Sequence, residues 1–166
     1  MNNKNKVRHL VLSAFIGSLY AALTITLAPI SYGQIQVRIA EALTILPFFS
    51  YFPIAGLFIG CIIANLVGGY GILDIVFGSS ATLLAGILTY YIGKSSLKFK
   101  KYLAPLPPVV INAVVVGLIL NYTLHLPLIM SMLWVGLGEA LSCYVLGLML
   151  MTLIEKNNRL KKYFTT

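Results

Sequence analysis

Acidic side chains are scarce in this chain, with four Asp and Glu against twelve Lys and Arg in 166 residues, and charged residues of both signs together reach only 10%. Soluble domains run near 25% charged, so a water-soluble globule is excluded. Cysteine is equally sparse. Cys61 and Cys143 stand singly inside apolar stretches, which excludes a disulfide framework and a Cys-based metal motif and reads both as small packing residues. His9 and His125 lie at the ends of apolar runs, so no cluster of His and acidic ligands at short spacing points to a resident metal or other cofactor. No nucleophile-elbow signature accompanies the Ser, His and Asp present, and hydrolase chemistry has no support. "IGKSS" (92–96) echoes a phosphate-binding loop, but Leu88 occupies the place of the first glycine. "NYT" (121–123) matches a glycosylation sequon, a pattern too short to carry an argument.

What the chain has in abundance is apolar surface, at 59% hydrophobic residues and a mean hydropathy of +0.92. Six apolar stretches, near residues 9–28, 35–50, 53–69, 73–93, 106–124 and 127–154, are each roughly long enough to cross a hydrocarbon core about 30 Å thick. The expected fold is an all-α membrane protein, a six-transmembrane-helix bundle forming one domain over 1–166. Short loops remain, marked by "APISYGQ" (28–34), "SYFP" (50–53), "VGGYGILD" (67–74), "GKSSLKFKKYLAPLPP" (93–108) and "LHLP" (124–127). They leave no room for a soluble catalytic domain, so any ATPase must come from another chain.

The net charge of +8 invites a nucleic-acid reading, but the positions of the charges argue for topology instead. Lys4, Lys6 and Arg8 precede the first span; Lys94, Lys98, Lys100 and Lys101 separate the fourth and fifth; Lys156, Arg159, Lys161 and Lys162 follow the sixth. All three clusters fall on one side of a six-span bundle. The positive-inside rule makes that side, with both termini, cytoplasmic. The apolar run after the basic N-terminus is longer than a usual signal-peptide core and is read as the first helix.

Small residues recur every fourth position: Gly56, Gly60, Ala64 and Gly68 in the third span, and two adjacent ridges, Ser13-Gly17-Ala21 and Ala14-Ser18-Ala22, in the first. Such ridges let helix backbones approach closely where lipid removes the hydrophobic incentive to associate. Two ridges exceed what one neighbour needs. Ala14, Gly17, Ser18, Ala21 and Ala22 are therefore candidates for docking a second helical partner.

Only Arg38, Glu41, Asp74 and Glu139 carry charge away from the basic clusters and the Glu155 beside them. An ionisable group deep in a bilayer costs at least about 2.5–3.5 kcal/mol and defaults to a functional hypothesis. The topology puts Arg38 near the outer surface, Glu41 on the same face about 4.5 Å deeper in an α-helix, and Glu139 about 18 Å from the outer end of the sixth span. Asp74 opens the fourth span and suits an N-cap. Gln34, Gln36, Asn65, Asn121, Tyr122 and Trp134 fall in the same half, with Tyr32 and Tyr70 in the outer loops. Structural readings stand beside these: Arg38 and Glu41 as a self-neutralising pair, Asp74 as a cap alone. A ligand that suits the array is a flat heterocycle with a guanine-like edge, whose adjacent N–H donors one carboxylate accepts while Arg, Asn or Gln takes its carbonyl. Aromatic side chains offer it stacking faces.

Four segments then carry a resemblance: "LAPISYGQIQVRIAEALTILPFF", "GLFIGCIIANLVGGYGILDIVFGSSATLLAG", "LAPLPPVVINAVVVG" and "GLGEALSCYVLGL" resemble, in order and from about residue 10 to 155, the queuosine-precursor transporter (QueT) family. That resemblance implies a substrate-binding S component of an energy-coupling factor (ECF) transporter that captures its ligand from outside; the candidate residues for holding it are those of the polar array, Glu139, Glu41, Arg38, Gln36, Asn65, Asp74, Trp134, Tyr32 and Asn121. It implies no enzymatic activity in this chain and no cofactor. The partners it implies are a transmembrane coupling subunit and two ATP-binding cassette ATPases in a bacterial cell membrane, and the substrate a 7-deazaguanine such as preQ1, preQ0 or queuine. S components typically carry an Ala-xxx-Ala pattern on the first helix that meets the coupling subunit. Here Ala14 to Ser18 and Gly17 to Ala21 keep the small size without the alanine identity. The competing expectation is a stand-alone secondary transporter or channel that relays protons or cations through Glu41, Asp74 and Glu139; a membrane-embedded enzyme is a third.

Overall fold

The computed structural model of the chain describes residues 3–33, 35–68 and 70–164; Gln34, Gly69 and the Lys4 side chain lie outside the described residues. All regular structure among them is helical. Helix α1 spans Asn3–Thr26 and is followed by a single turn, Ala28–Ser31. A 3₁₀ helix runs over Ile39–Phe48, α2 over Pro53–Gly68, α3 over Asp74–Lys94, α4 over Leu106–Leu124, α5 over Leu128–Lys156 and α6 over Asn158–Phe164. A short turn, Lys100–Leu103, leads into α4.

Four helical stretches, Asn5–Thr26, Asp74–Lys94, Lys100–Leu124 and Leu128–Lys156, are long and apolar enough to cross a membrane. The other two expected spans are the shorter apolar helices Ile39–Phe48 and Pro53–Gly68. Large apolar side chains on the outside of the bundle, among them Leu10, Phe15, Ile59, Phe77 and Leu137, are more than half exposed. Contiguous apolar exposure of this kind marks a surface that meets lipid.

The second expected span departs most from expectation. It is not an α-helix over 35–50: Arg38 is extended (φ −84°, ψ 97°), and only the ten residues Ile39–Phe48 are helical, wound as 3₁₀. Pro47, which has no N–H to donate, and the Thr44 hydroxyl, which donates to the Glu41 carbonyl at 2.6 Å, both depart from regular α-helical bonding here. A 3₁₀ helix has three residues per turn, so positions three apart eclipse. Its sequence has that period. Arg38, Glu41 and Thr44 share one polar edge; Ala40, Leu43 and Leu46 form a second edge and join Ile16, Tyr20, Leu57 and Cys61 in the main core; Ile45 packs with Ala104 and Met151 on the third side. Residues 40–47 are buried throughout, so this short helix is the axle around which the others pack.

Helices α1 and α2 meet backbone to backbone. A Cβ on Gly56 would stand 2.1 Å from the Ser13 carbonyl oxygen, and one on Gly60 2.5 Å from that of Gly17. The Ser13-Gly17-Ala21 ridge is thus spent inside the bundle and buried, whereas Ala14, Ser18 and Ala22 are exposed. At the opposite extreme of polarity, the three basic clusters gather at one end: Arg8 donates to the Lys162 carbonyl at 2.9 Å and lies over the Tyr163 ring, while Lys101 pairs with Glu155 at 2.5 Å.

Candidate functional site

Two helices carry π-helical segments, Asp74–Gly78 at the start of α3 and Leu141–Gly147 within α5. Segments of this kind are rare and recur at functional sites. Here they fall beside two of the buried acids. Asp74 opens the first, and Glu139 precedes the second by two residues, with Cys143 inside it.

The outer part of the site is built on Arg38 and Asp74. The guanidinium Nη2 lies 3.6 Å from Asp74 Oδ2, with both side chains almost wholly shielded from solvent. Arg38 Nε also donates to the Ser31 carbonyl at 3.4 Å, and the guanidinium sits 5.5 Å from the centre of the Tyr32 ring. Asn65 Nδ2 donates to the Asp74 carbonyl at 2.8 Å. Arg38 therefore pairs with Asp74 on another helix, not with Glu41, and Asp74 makes no helix-capping bond. An extended backbone at Arg38 is what lets its side chain reach across to α3.

The inner part lies one 3₁₀ turn further along the chain, about 6 Å at 2.0 Å per residue. Glu41 accepts a hydrogen bond from Tyr20 of α1, and Glu139 of α5 accepts one from Asn112 of α4 at 3.1 Å. Cys143 Sγ is 3.8 Å from Glu139 and 3.5 Å from the Glu41 carbonyl. Glu41, Glu139 and Cys143 each offer a ligand atom within 4.8 Å of the others. Gly138 makes this approach possible: a Cβ there would stand 2.5 Å from the Ile35 carbonyl oxygen and 2.6 Å from that of Gln36, so α5 presses directly on the chain entering the 3₁₀ helix.

Several polar atoms of this buried constellation have no hydrogen-bond partner among the described residues: Gln36 Nε2, Arg38 Nη2, Glu41 Oε2, Asn65 Oδ1, both carboxylate oxygens of Asp74 and Asn112 Oδ1, the Arg38–Asp74 ion pair standing at 3.6 Å, beyond hydrogen-bond distance. Buried polar groups are normally bonded, and each such atom costs about 1–3 kcal/mol of desolvation. So many in one place mark a site that holds something polar. Above it, a groove of about 450 Å³ is lined by Pro29, Ile30, Gly33, Ile35, Gln36 and Val37. Tyr32 donates to the Ala64 carbonyl at 2.6 Å and Tyr70 to the Tyr32 carbonyl, tying the loop down over the site. Burial pushes the pKa of both hydroxyls up, so both stay protonated donors.

Of the expected site residues, the fold brings Gln36, Arg38, Glu41, Asn65, Asp74 and Glu139 together, with Tyr32 at the lid. Asn121 spends its amide on the Leu126 carbonyl at 2.6 Å, closing the turn after α4. Trp134 is half-buried and, five residues before Glu139, lies about 140° around the helix from it at 3.6 residues per turn. Tyr122 is 73% exposed, on the lipid-facing side. Gln34 lies outside the described residues. Sequence reasoning missed Tyr20, Asn112 and Cys143. A lone Asn in "VVINAVVVG" was a readable signal, since an amide amid six valines and isoleucines needs a partner.

A family model described as the QueT transporter matches residues 10–156. A protein of Lactococcus lactis subsp. cremoris (strain MG1363) described as "Queuosine precursor transporter QueT" is 37% identical over 83 residues, covering 49% of this chain and 48% of that one. The matched stretch thus spans about half the length of that relative. No solved structure matches.

Proposed function

Because the chain belongs to the QueT transporter family, we propose that it is the substrate-binding S component of an ATP-driven ECF importer and captures a queuosine precursor, a 7-deazaguanine such as preQ1, preQ0 or queuine. The observation that carries this reading is the buried set of polar atoms without a hydrogen-bond partner on Gln36, Arg38, Glu41, Asn65, Asp74 and Asn112. It offers both the carboxylate acceptors that a guanine-like edge requires and the Arg and amide donors that its carbonyl requires. The relative's description names a queuosine precursor, in agreement with that chemistry.

In this account the 3₁₀ helix and α2 complete a six-span bundle in the bacterial cell membrane. Both termini and the end bearing Arg8, Lys101 and Lys162 face the cytoplasm, as the basic clusters require. The site then opens outward beneath the Tyr32–Tyr70 loop, which must lift to admit ligand. A coupling subunit docks on the exposed Ala14-Ser18-Ala22 ridge of α1, two partner ATPases supply the energy, and toppling of the bundle carries the site across. Gly17 and Ala21 face α2 and are withdrawn from the docking surface. Reconstitution tests this directly: uptake of the 7-deazaguanine by liposomes should need the coupling subunit, both ATPases and ATP. A second reading, proton- or cation-coupled transport by the chain alone, draws on the proximity of Glu41 and Glu139. Uptake by the purified chain under an ion gradient would establish it instead.

A further inference from the structure

The charges of the site do not balance. Arg38 is matched by Asp74, which leaves Glu41 and Glu139 within 4.8 Å of each other, fully buried and with no Lys, Arg or His at ion-pair distance among the described residues. Their protein partners are neutral: Tyr20 on Glu41, and Asn112 and Cys143 on Glu139. Two adjacent carboxylates in a low-dielectric interior repel strongly unless a positive charge or a shared proton joins them. Two acceptor oxygens also point to a donor-rich guest. Glu41 Oε2 and Asn112 Oδ1 have no hydrogen-bond partner among the described residues, and Asn112 holds its amide against Glu139.

We propose that Glu41, Glu139 and the Asn112 carbonyl oxygen form a subsite for a protonated amine on the ligand, so that the preferred substrate is a cationic, aminomethyl-bearing 7-deazaguanine rather than a neutral one. This rests on the reading of the site as a deazaguanine pocket and deepens it. An alkylammonium has three N–H donors and no acceptor, which matches a subsite rich in acceptors and charged twice negatively. A metal ion fits less well. The sulfur of Cys143 faces the Glu41 carbonyl, the Glu139 carboxylate and the Thr44 hydroxyl, a set of oxygens that suits a thiol proton donor and not a thiolate ligand. Tyr20 already occupies one oxygen of Glu41.

The test is calorimetric titration of the full chain in lipid nanodiscs with 7-aminomethyl-, 7-methyl- and 7-cyano-7-deazaguanine, with and without EDTA. The aminomethyl compound is expected to bind at least about 30-fold more tightly than the methyl compound, the scale of a hydrogen bond to a charged group. Glu41→Gln and Glu139→Gln should each narrow that gap several-fold while still binding the neutral compounds, which also reports that they fold. Equal affinity for the three compounds would overturn the ammonium subsite and leave the deazaguanine reading standing. Binding by none of them, in folded protein, would overturn both. Binding that vanishes with EDTA and returns with Zn²⁺ or Mn²⁺ would assign the carboxylates to a metal and refute the inference.

Discussion

Neutralising Asp74 isolates the one buried ion pair of the site. In Asp74→Asn the Arg38 guanidinium keeps its 3.4 Å contact to the Ser31 carbonyl and loses the carboxylate 3.6 Å away. Coulomb's law at an effective dielectric of about 20 gives about 4–5 kcal/mol for unit charges at that distance, and stranding one partner of a buried pair typically costs about 3–5 kcal/mol. Replacing both, in Arg38→Met/Asp74→Asn, removes the stranded charge and should recover most of the loss. The assay is a double-mutant cycle on unfolding in mixed micelles, read by Trp134 fluorescence, with a coupling of at least about 2 kcal/mol expected. Additive effects would mean that the two side chains do not act as a pair, and the assignment of Asp74 to Arg38 rather than to a helix cap would fall.

Other substitutions probe separate parts of the bundle and the site. Glu139→Gln should weaken ligand binding by more than about 1.5 kcal/mol without loss of folding; unchanged affinity would take Glu139 out of the site. Gly56→Leu should prevent folding, because even a Cβ there would stand 2.1 Å from the Ser13 carbonyl. Ser18→Leu, on the exposed ridge, should leave melting temperature and binding alone yet abolish ATP-driven uptake, and normal uptake would show that α1 is not the docking face. Tyr70→Phe removes the bond to the Tyr32 carbonyl; stopped-flow release of ligand should quicken several-fold, and an unchanged rate would mean that this bond does not hold the lid.

Much of the architecture was legible because lipid imposes a simple grammar. Uninterrupted apolar length located the four long helices to within a few residues at most ends, and the basic clusters foretold which loops share an end. The winding of each helix was not legible. Hydropathy does not distinguish an α-helix from the 3₁₀ helix at Ile39–Phe48 or from the π segments of α3 and α5, since all three are apolar helices to a residue count. That is why the pairing of Arg38 with Glu41 stood among the sequence readings. Spacing of three suggests one face of an α-helix, whereas the extended backbone at Arg38 turns its side chain toward Asp74. The four acids and bases of the site were visible because ions in lipid demand a reason. Tyr20, Asn112 and Cys143 were overlooked because neutral groups carry a smaller desolvation cost and so a weaker signal. Trp134 and Asn121 were included by depth and side-chain type, neither of which fixes the angle around a helix.

Small-residue periodicity likewise gave two ridges on α1 without saying which was spent. The Ser13 and Gly17 carbonyls against Gly56 and Gly60 decide it, leaving Ala14, Ser18 and Ala22 exposed.

We propose that the buried constellation around Arg38, Asp74, Glu41 and Glu139 is a pocket for a 7-deazaguanine. Calorimetric titration of the purified chain with preQ1, preQ0, queuine and guanine tests it most directly. Submicromolar binding of at least one deazaguanine is expected, with guanine much weaker. No binding of any of the four by protein shown to be folded would contradict it.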